Sequence, residues 1–226
     1  MPNVPAPPSE DAIRRAASEF QIALDDQQVL LIQQYIKILL AWNDKINLTA
    51  IQDPLEILYR HFCESMYGSR TVPVENCRLA DVGSGGGFPG IPLKIVRPDL
   101  TVFLVESNFK KATFLAEVVR ELRLTDTRVL VSRYEELGEE VAPLDLVCSR
   151  ALGEFSSFLR WARDPHIGTP KAILWVGGRD LEEIRKIGGW EWEEPIPLPH
   201  SLRRYLLVGQ SAPITATEED DVVRES

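Results

Sequence analysis

The chain has 226 residues, of which 44% are hydrophobic and 26% are charged, and its net charge is −9. This composition is typical of a soluble globular protein, and the length predicts one domain with a substantial core. The acidic balance argues against indiscriminate nucleic-acid binding, which depends on clustered lysine and arginine. Because no signal-peptide pattern or membrane-length apolar run is visible, we expect a cytosolic protein.

The first part of the chain, residues 1–70, is predicted to be a helical extension that packs on the core. Apolar residues recur at helical spacing at Ile32, Tyr35, Ile36, Leu39 and Leu40. A second helix is expected to begin with Asp53 as its cap, Pro54 in its first turn and Glu56 completing a capping box. Its predicted buried side consists of Leu55, Leu58, Phe62 and Met66.

Residues 71–210 alternate strand-like and helical runs, which is typical of a doubly wound α/β sheet with helices on both faces. The strand candidates are residues 79–82, 102–105, 128–131, 144–148, 172–176, 190–196 and 204–208. The last two are expected to form a hairpin, so that a sheet of about seven strands ends with an antiparallel one. Residues 211–226 are polar and acidic, and they predict a disordered tail.

The three cysteines, Cys63, Cys77 and Cys148, are far apart, and no CxxC pair exists. Their odd number and their spacing indicate neither a disulfide framework nor a zinc site. We therefore expect three buried or half-buried thiols and no metal centre.

The sharpest motif runs from Asp81 to Gly90 and begins where the first predicted strand ends. Glycines at such a turn permit positive φ angles and let the backbone approach a ligand closely. The D-x-G-x-G-x-G form, with Gly83 and Gly85, is the pattern expected for S-adenosylmethionine. A dinucleotide would need G-x-G-x-x-G, which is met only from Gly85, later than usual and with proline in the turn.

Polar residues follow three further predicted strands. Glu106 ends the second strand, where a carboxylate can accept hydrogen bonds from ribose hydroxyls of either S-adenosylmethionine or NAD. After the third strand, Tyr134 can cover an adenine ring, and Glu135 or a backbone amide can meet its polar edge. Arg150 follows the fourth strand and faces the substrate position. A purely structural interpretation stays open for each strand end. Glu106 could cap a helix, Tyr134 and Glu135 could belong to a solvated turn, and Arg150 could form a salt bridge.

Together these motifs resemble the bacterial RsmG (GidB) family. The segments that carry the resemblance are Asn47-Leu48-Thr49, Arg60-His61, Asp81-Val82-Gly83-Ser84-Gly85-Gly86-Gly87-Phe88-Pro89-Gly90-Ile91-Pro92, Glu106-Ser107, Lys110-Lys111, Phe114-Leu115 and Ser149-Arg150-Ala151. The run G-F-P-G-I-P is the most specific of them, because most methyltransferase loops lack these prolines. The resemblance covers roughly residues 39–208.

The resemblance implies an S-adenosylmethionine-dependent enzyme that methylates N7 of a guanine in the 530 loop of 16S ribosomal RNA. The small ribosomal subunit or its precursor is the implied partner, and we expect a monomer. The implied cofactor contacts are Gly83, Phe88, Tyr134, Glu135 and Arg150, to which the residue patterns add Asp81, Gly85 and Glu106. Of these residues, Phe88 rests mainly on the family.

Three positions depart from the family pattern. Glu64 stands where aspartate is usual, and Glu106 ends a strand that more often ends in aspartate. Val176 replaces a lysine that usually precedes the glycine at the end of the fifth strand. This last change removes a cation near the expected substrate mouth, although Arg179 lies close in sequence.

The implied reaction needs no catalytic base, because guanine N7 carries a free lone pair, and we name none. Arg150 is expected either to stack on the guanine or to hold the carboxylate of the cofactor. His61 is interpreted as a structural residue. The basic residues that can hold RNA phosphates are Arg60, Lys110, Lys111, Arg179, Arg203 and Arg204.

Three other functions stay open at this point. The chain could methylate a small molecule or a protein, it could be a nicotinamide-dependent oxidoreductase, or it could be a non-enzymatic module that retains the pocket. Methyl transfer to ribosomal RNA would separate the first from the RNA enzyme. Calorimetry with NADH and with S-adenosylhomocysteine would identify the second. Cofactor binding without turnover would indicate the third.

Overall fold

The computed structural model describes residues 5–72, 75–150, 152–168 and 170–212, and these form one mixed sheet covered by helices. The strands of the described residues are β1 (Arg78–Val82), β2 (Thr101–Val105), β3 (Thr127–Leu130), β4 (Leu146–Arg150), β5 (Lys171–Gly177), β6 (Trp190–Trp192), β7 (Ile196–Pro197) and β8 (Arg204–Ser211). Every predicted strand is present, and the predicted strand 190–196 divides into β6 and β7.

Helices lie before and between these strands. They are α1 (Glu10–Glu19), α2 (Asp26–Asn43), α3 (Pro54–Ile57), α4 (Glu64–Tyr67), α5 (Gly90–Val96), α6 (Phe109–Glu121), α7 (Phe155–Ala162) and α8 (Gly178–Ile184). A π-helical segment (Leu58–Cys63) joins α3 to α4, and 3-10 turns occur at Gly68–Thr71 and Tyr134–Glu136. None of the helices in the described ranges has the length and apolarity needed to cross a bilayer.

The sheet has the strand order β3-β2-β1-β4-β5-β8-β6, with β7 paired to β8. Strands β1 to β5 are parallel, and β8 runs antiparallel to β5, β6 and β7. This arrangement confirms the predicted doubly wound sheet with an antiparallel last strand. Chain order reverses between β1 and β4, and ligands bind in the crevice that such a reversal opens at the carboxyl ends of the strands.

Helices cover both faces of the sheet. Alternate side chains of a strand point to opposite faces, so each strand contributes to two buried clusters. On β1, Leu79 joins an apolar cluster that contains residues of α1 to α6. Ala80 and Val82 join a second cluster with residues of α7 and α8. The amino-terminal helices therefore share one hydrophobic core with a face of the sheet.

The predicted apolar stripe of α2 is confirmed. Its five residues, Ile32, Tyr35, Ile36, Leu39 and Leu40, are all buried. Asp25 begins the helix with a capping box, in which its carboxylate accepts the Gln28 N–H and the Gln28 side chain accepts the Asp25 N–H. Local capping and tertiary burial thus favour the same helix.

The second amino-terminal helix agrees with prediction at its cap and departs from it on one face. The carboxylate of Asp53 accepts the N–H of Glu56, as expected for a cap. The predicted residues that are buried are Leu58, Phe62 and Met66. Leu55 is instead 47% exposed, and Ile57 is buried. The prediction for Leu55 is wrong because π-helical turns hold more residues than α-helical turns, which shifts the phase of the buried face.

The carboxyl-terminal hairpin is confirmed, since β6 and β7 pair with β8 across a connection over residues 198–203. Ser211 was predicted to begin a disordered tail but is the last residue of β8, opposite Trp190. The prediction is wrong at Ser211 because β6 supplies a backbone partner for this end of the strand. The next residue, Ala212, is also ordered, since its N–H donates to the carbonyl of Gly189 at 2.9 Å, and residues 213–226 of the predicted tail lie outside the described residues.

The three cysteines are buried and free, as predicted. Burial raises the pKa of the Cys63 thiol and of the Cys148 thiol. Both side chains therefore stay protonated and act as small apolar groups.

Candidate functional site

The loop between β1 and α5 turns through three left-handed glycines. Gly83, Gly85 and Gly87 have φ angles of 71°, 56° and 84°, which residues with a side chain rarely adopt. The N–H groups of Gly83 and Ser84 both donate to the carbonyl of Val105, at 2.9 and 3.1 Å. The loop is thereby fastened to the end of the neighbouring strand β2.

Asp81 lies fully buried beneath this loop. Its Oδ2 accepts the N–H of Gly90 at 3.0 Å, and the Sγ of Cys148 lies 3.8 Å from Oδ1. Burial raises the pKa of Asp81 to about 7, although these hydrogen bonds act in the opposite direction. Asp81 therefore holds the exit of the loop in place from below.

Glu106 stands beside the glycine loop and is 7% exposed. Its Oε2 accepts the N–H of Gly85 at 2.9 Å, and its Oε1 accepts the N–H of Asn108 at 2.8 Å. A carboxylate has about four acceptor sites, so each oxygen retains capacity for a ligand hydroxyl. The side chain of Asn108 caps α6, so Glu106 is not needed as the helix cap.

The loop and Glu106 open onto a cleft of about 240 Å³ at the carboxyl ends of β1, β2 and β3, which we call the glycine-loop cleft. Its lining residues are Val82, Gly83, Val105, Glu106, Ser107, Ser132, Arg133, Tyr134, Glu135 and Leu152. The structure thus brings four predicted cofactor residues together: Gly83, Glu106, Tyr134 and Glu135. Apolar walls with a few convergent polar groups are typical of small-molecule sites.

Tyr134 forms the wall of the cleft that follows β3. Its ring packs edge-to-face on Phe158 and Trp161, with centroid distances of 5.9 and 5.3 Å, so α7 sets its orientation. Burial and a hydrogen bond with Glu135 raise the pKa of Tyr134 to about 12. An aromatic ring held in this way suits the predicted contact with adenine.

Phe88 is placed outside the cleft. Its ring stacks on Tyr35, 5.5 Å between centroids at 11°, and on His61, 4.7 Å at 22°. The hydroxyl of Tyr35 donates a hydrogen bond to the carbonyl of Gly86, so α2 supports the loop from behind. Phe88 does not line the cleft, so its predicted contact with the cofactor stays a prediction.

His61 has the environment of a structural residue. Its Nε2 lies 2.7 Å from the Oγ1 of Thr49. Burial and the positive charges of Arg150 and Arg60 lower the pKa of His61 to about 3. The ring is therefore neutral at physiological pH.

Arg150 lies in a second cavity of about 280 Å³ at the carboxyl ends of β4 and β5, which we call the arginine cavity. Its lining residues are Arg60, Glu64, Arg150, Leu152, Phe155, Trp175, Val176, Gly177, Asp180, Leu198 and Arg204. The Nη2 of Arg150 donates to the carboxylate of Glu64 at 3.1 Å. Burial lowers the pKa of Arg150 to about 10 despite the attraction of Glu64, so the guanidinium is charged at neutral pH.

The basic residues predicted to hold RNA phosphates are divided between several places. Arg60 and Arg204 line the arginine cavity. Arg179 and Arg203 border a separate surface cavity of about 520 Å³. The two lysines lie in the first turn of α6. The structure therefore gathers only part of this set around one site.

The sequence gives no site role to Leu152 and Glu64, which line the cavities, or to Tyr35, which supports the glycine loop from α2. Leu152 lines both cavities, but a leucine shortly after a strand carries no chemical signal. Tyr35 was recognised only as part of a buried stripe. Glu64 was noticed only because it departs from the family aspartate. Within the described residues, no group of three or more His, Cys, Asp or Glu side chains could hold a metal ion.

The family model and the relatives that match this chain carry the same name. Residues 28–187 match a family model described as rRNA small subunit methyltransferase G (GidB). A protein of that name from Roseiflexus castenholzii is 35% identical over 226 residues, which covers 91% of this chain and 93% of the relative. A protein of the same name from Chromobacterium violaceum is 40% identical over 174 residues, which covers 76% of this chain and 81% of the relative.

Solved structures of lower identity share the fold. A SAM-dependent methyltransferase from Aquifex aeolicus has a TM-score of 0.58 at 16% identity, covering 71% of this chain and 94% of that chain. A mutant of MtNAS in complex with S-adenosylmethionine has a TM-score of 0.54 at 16% identity, covering 90% of this chain and 98% of that chain. Likeness at these identities concerns the fold alone.

Proposed function

Because the chain belongs to the rRNA small subunit methyltransferase G (GidB) family, we propose that it methylates N7 of a guanine in the 530 loop of 16S ribosomal RNA. S-adenosylmethionine is the cofactor of this family and fold. The observation that carries the proposal is the glycine-loop cleft, where a loop of left-handed glycines is hydrogen-bonded to Glu106.

The residues of the cleft fit S-adenosylmethionine. A Cβ on Gly83 would lie 3.2 Å from the Cδ1 of Leu152 and would sit on a backbone with a φ of 71°, so a side chain there would displace the wall and strain the loop. We expect Glu106 to hold the ribose hydroxyls and Tyr134 with Glu135 to hold the adenine. The main chain of Gly83 and Gly85 would face the amino-acid portion. When bound, the cofactor supplies an electrophilic methyl group.

The chain has to orient the base and exclude water rather than accept a proton, because guanine N7 attacks through a free lone pair. The neutral ring of His61, bonded to Thr49, agrees with this requirement. Methylation leaves a positive charge on the guanine. That charge comes from the sulfonium of the cofactor, so the transfer creates no new net charge in the site.

The target guanine has to leave its stack to reach the cleft, which costs a few kcal/mol and is easiest in a loop. With a net charge of −9, the chain cannot rely on general attraction to RNA. We therefore expect recognition of a folded loop within the small ribosomal subunit, which places the reaction in the cytoplasm.

The proposal is tested with labelled S-adenosylmethionine and small ribosomal subunits from cells that lack this methylation. We expect about one methyl group per subunit, located by mass spectrometry of RNA fragments to one guanine of the 530 loop. The Gly83→Val variant should transfer far less label at the same cofactor concentration. Label on another nucleotide would contradict the guanine assignment, and label on only a protein or a small molecule would contradict the RNA assignment.

A further inference from the structure

The arginine cavity surrounds one buried carboxylate with three guanidinium groups. Glu64 is 2% exposed and accepts from Arg150 Nη2 at 3.1 Å and from Arg204 Nε at 3.0 Å. The Nε of Arg60 lies 3.6 Å from the same carboxylate. Asp180 also lines the cavity, so three positive charges against two negative charges leave an excess of one positive charge, and Arg60 additionally lies 3.7 Å from the carboxylate of Glu56. Because the cluster is partly buried, solvent and salt screen this excess charge less than they would on an open surface.

Two nitrogen atoms of this cluster, Arg150 Nη1 and Arg60 Nε, are buried without a hydrogen-bond partner among the described residues. Native proteins satisfy nearly all such groups with protein, water or an ion. The side chains of Arg60 and Arg204 are 37% and 28% exposed, and both line the open volume. The cluster therefore has both the charge and the donors to bind an anion.

The tertiary structure supplies a cation at the mouth where the family lysine is missing. Val176 occupies the position of that lysine and lines the arginine cavity. Arg204 lies opposite Gly177 because β8 is antiparallel to β5. The positive charge therefore comes from the neighbouring strand rather than from β5.

The position of the cavity favours an anion that belongs to the substrate. The proposed ribose and adenine contacts lie beyond β2 and β3, whereas the arginine cavity lies at β4, β5 and β8, on the other side of Leu152. We propose that the arginine cavity binds a backbone phosphate of the RNA beside the methylated guanine, an inference that rests on the proposed function. Guanidinium groups match phosphate oxygens in paired hydrogen bonds.

A matched set of variants tests this proposal. Arg204→Gln removes one cation and leaves Glu64 with two guanidinium neighbours, so no buried carboxylate becomes unpaired. Arg204→Lys keeps the charge. Arg128→Gln removes the same charge from β3, at the opposite edge of the sheet, and serves as the control. Equilibrium binding of unmethylated small ribosomal subunits is measured at several salt concentrations, and S-adenosylhomocysteine binding is measured by calorimetry.

We expect Arg204→Gln to weaken subunit binding about tenfold and to reduce the slope of log affinity against log salt by about 1. Arg204→Lys should recover part of the affinity and most of the slope. Arg128→Gln should match the unsubstituted chain. Affinity for S-adenosylhomocysteine should be equal in all four proteins.

Two results would overturn the proposal. Unchanged subunit affinity and slope in Arg204→Gln would mean that Arg204 only neutralises Glu64. A parallel loss of S-adenosylhomocysteine affinity would mean that the cavity holds the cofactor carboxylate. If thermal unfolding shows that Arg204→Gln does not fold, Arg60→Gln takes its place with the same criteria.

These experiments measure binding and not methyl transfer. A failure of the proposed phosphate site can therefore be distinguished from a failure of the proposed reaction. Subunits that bind without being methylated would contradict the proposed reaction and leave the comparison of salt slopes valid. An unsubstituted chain without salt-dependent subunit binding would overturn the phosphate site itself.

Discussion

The glycine-loop cleft and the arginine cavity share Leu152, yet they are built in opposite ways. The cleft takes its polar groups from the ends of three successive strands, β1, β2 and β3, and local sequence marks each of them. The arginine cavity takes Arg60 from the π-helical segment, Glu64 from α4, Arg150 from β4 and Arg204 from β8, with 140 positions between Glu64 and Arg204. A motif can be recognised when its residues are close together in the sequence. The residues of the arginine cavity are far apart in the sequence, and only the packing of the folded chain brings them together.

The two cavities also differ in charge. Glu106, Glu135 and Arg133 line the cleft, which gives it an excess of one negative charge, whereas three arginines against Glu64 and Asp180 give the arginine cavity an excess of one positive charge. This difference matches the two proposed ligands, a sulfonium nucleoside and an anionic RNA. Substitutions in one cavity should therefore leave binding at the other nearly unchanged.

The largest effect is expected from Gly83→Val. A side chain in the left-handed region costs about 1–2 kcal/mol, and the new Cβ would lie 3.2 Å from Leu152. Affinity for S-adenosylhomocysteine, measured by calorimetry, should fall on the order of 100-fold, with subunit binding retained. Gly188→Val is the control, because no heavy atom lies within 4 Å of its added Cβ. An equal loss of subunit affinity in Gly83→Val would show that the two cavities are not separable.

A smaller loss is expected from Glu106→Gln. The amide has one acceptor oxygen, so it cannot serve the Gly85 N–H, the Asn108 N–H and a ribose together. We expect S-adenosylhomocysteine affinity to fall roughly tenfold, which corresponds to about 1.4 kcal/mol. Calorimetry on the exposed Glu182→Gln variant provides the baseline. An unaltered affinity would restrict Glu106 to holding the loop.

Tyr35→Phe tests the support of the glycine loop by α2. The change leaves the buried carbonyl of Gly86 without its donor, which should lower the free energy of unfolding by about 1–2 kcal/mol in urea titrations. Affinity for S-adenosylhomocysteine should fall less than tenfold. Tyr59→Phe, whose hydroxyl bonds the exposed carboxylate of Glu19, is the matched control and should change little. Equal stability of the two variants would argue against this support.

The smallest effect on ligand binding is expected at Asp81, whose contribution is a pH dependence of stability. Its pKa is about 7 in the folded chain against an ordinary value of 3.8, so the folded state binds the proton more tightly than the unfolded state. The contribution to the free energy of unfolding is therefore full below pH 4 and is lost as the pH rises to about 7. Asp81→Asn should flatten urea-derived stability across that window, and an identical slope in both proteins would contradict the assignment.

Sequence patterns predicted most of the sheet but not all details of the amino-terminal helices. The stripe of α2 was predictable because its spacing is that of a regular helix. Leu55 was not, because a π-helical segment changes the phase of the next buried face. The ring of Phe88 also faces the aromatic layer of Tyr35 and His61, and this placement follows from how the amino-terminal helices dock on the loop.

The strands, the glycine turn and the acid beside it could be predicted from the sequence, because hydrophobic periodicity, positive φ angles and strand ends are local properties. The convergence of Arg60, Arg150 and Arg204 on Glu64 is instead a property of the folded chain. Their meeting requires one helix to dock on the sheet and an antiparallel strand to pair with β5. Such contacts depend on the packing of distant segments, for which spacing along the chain carries no signal.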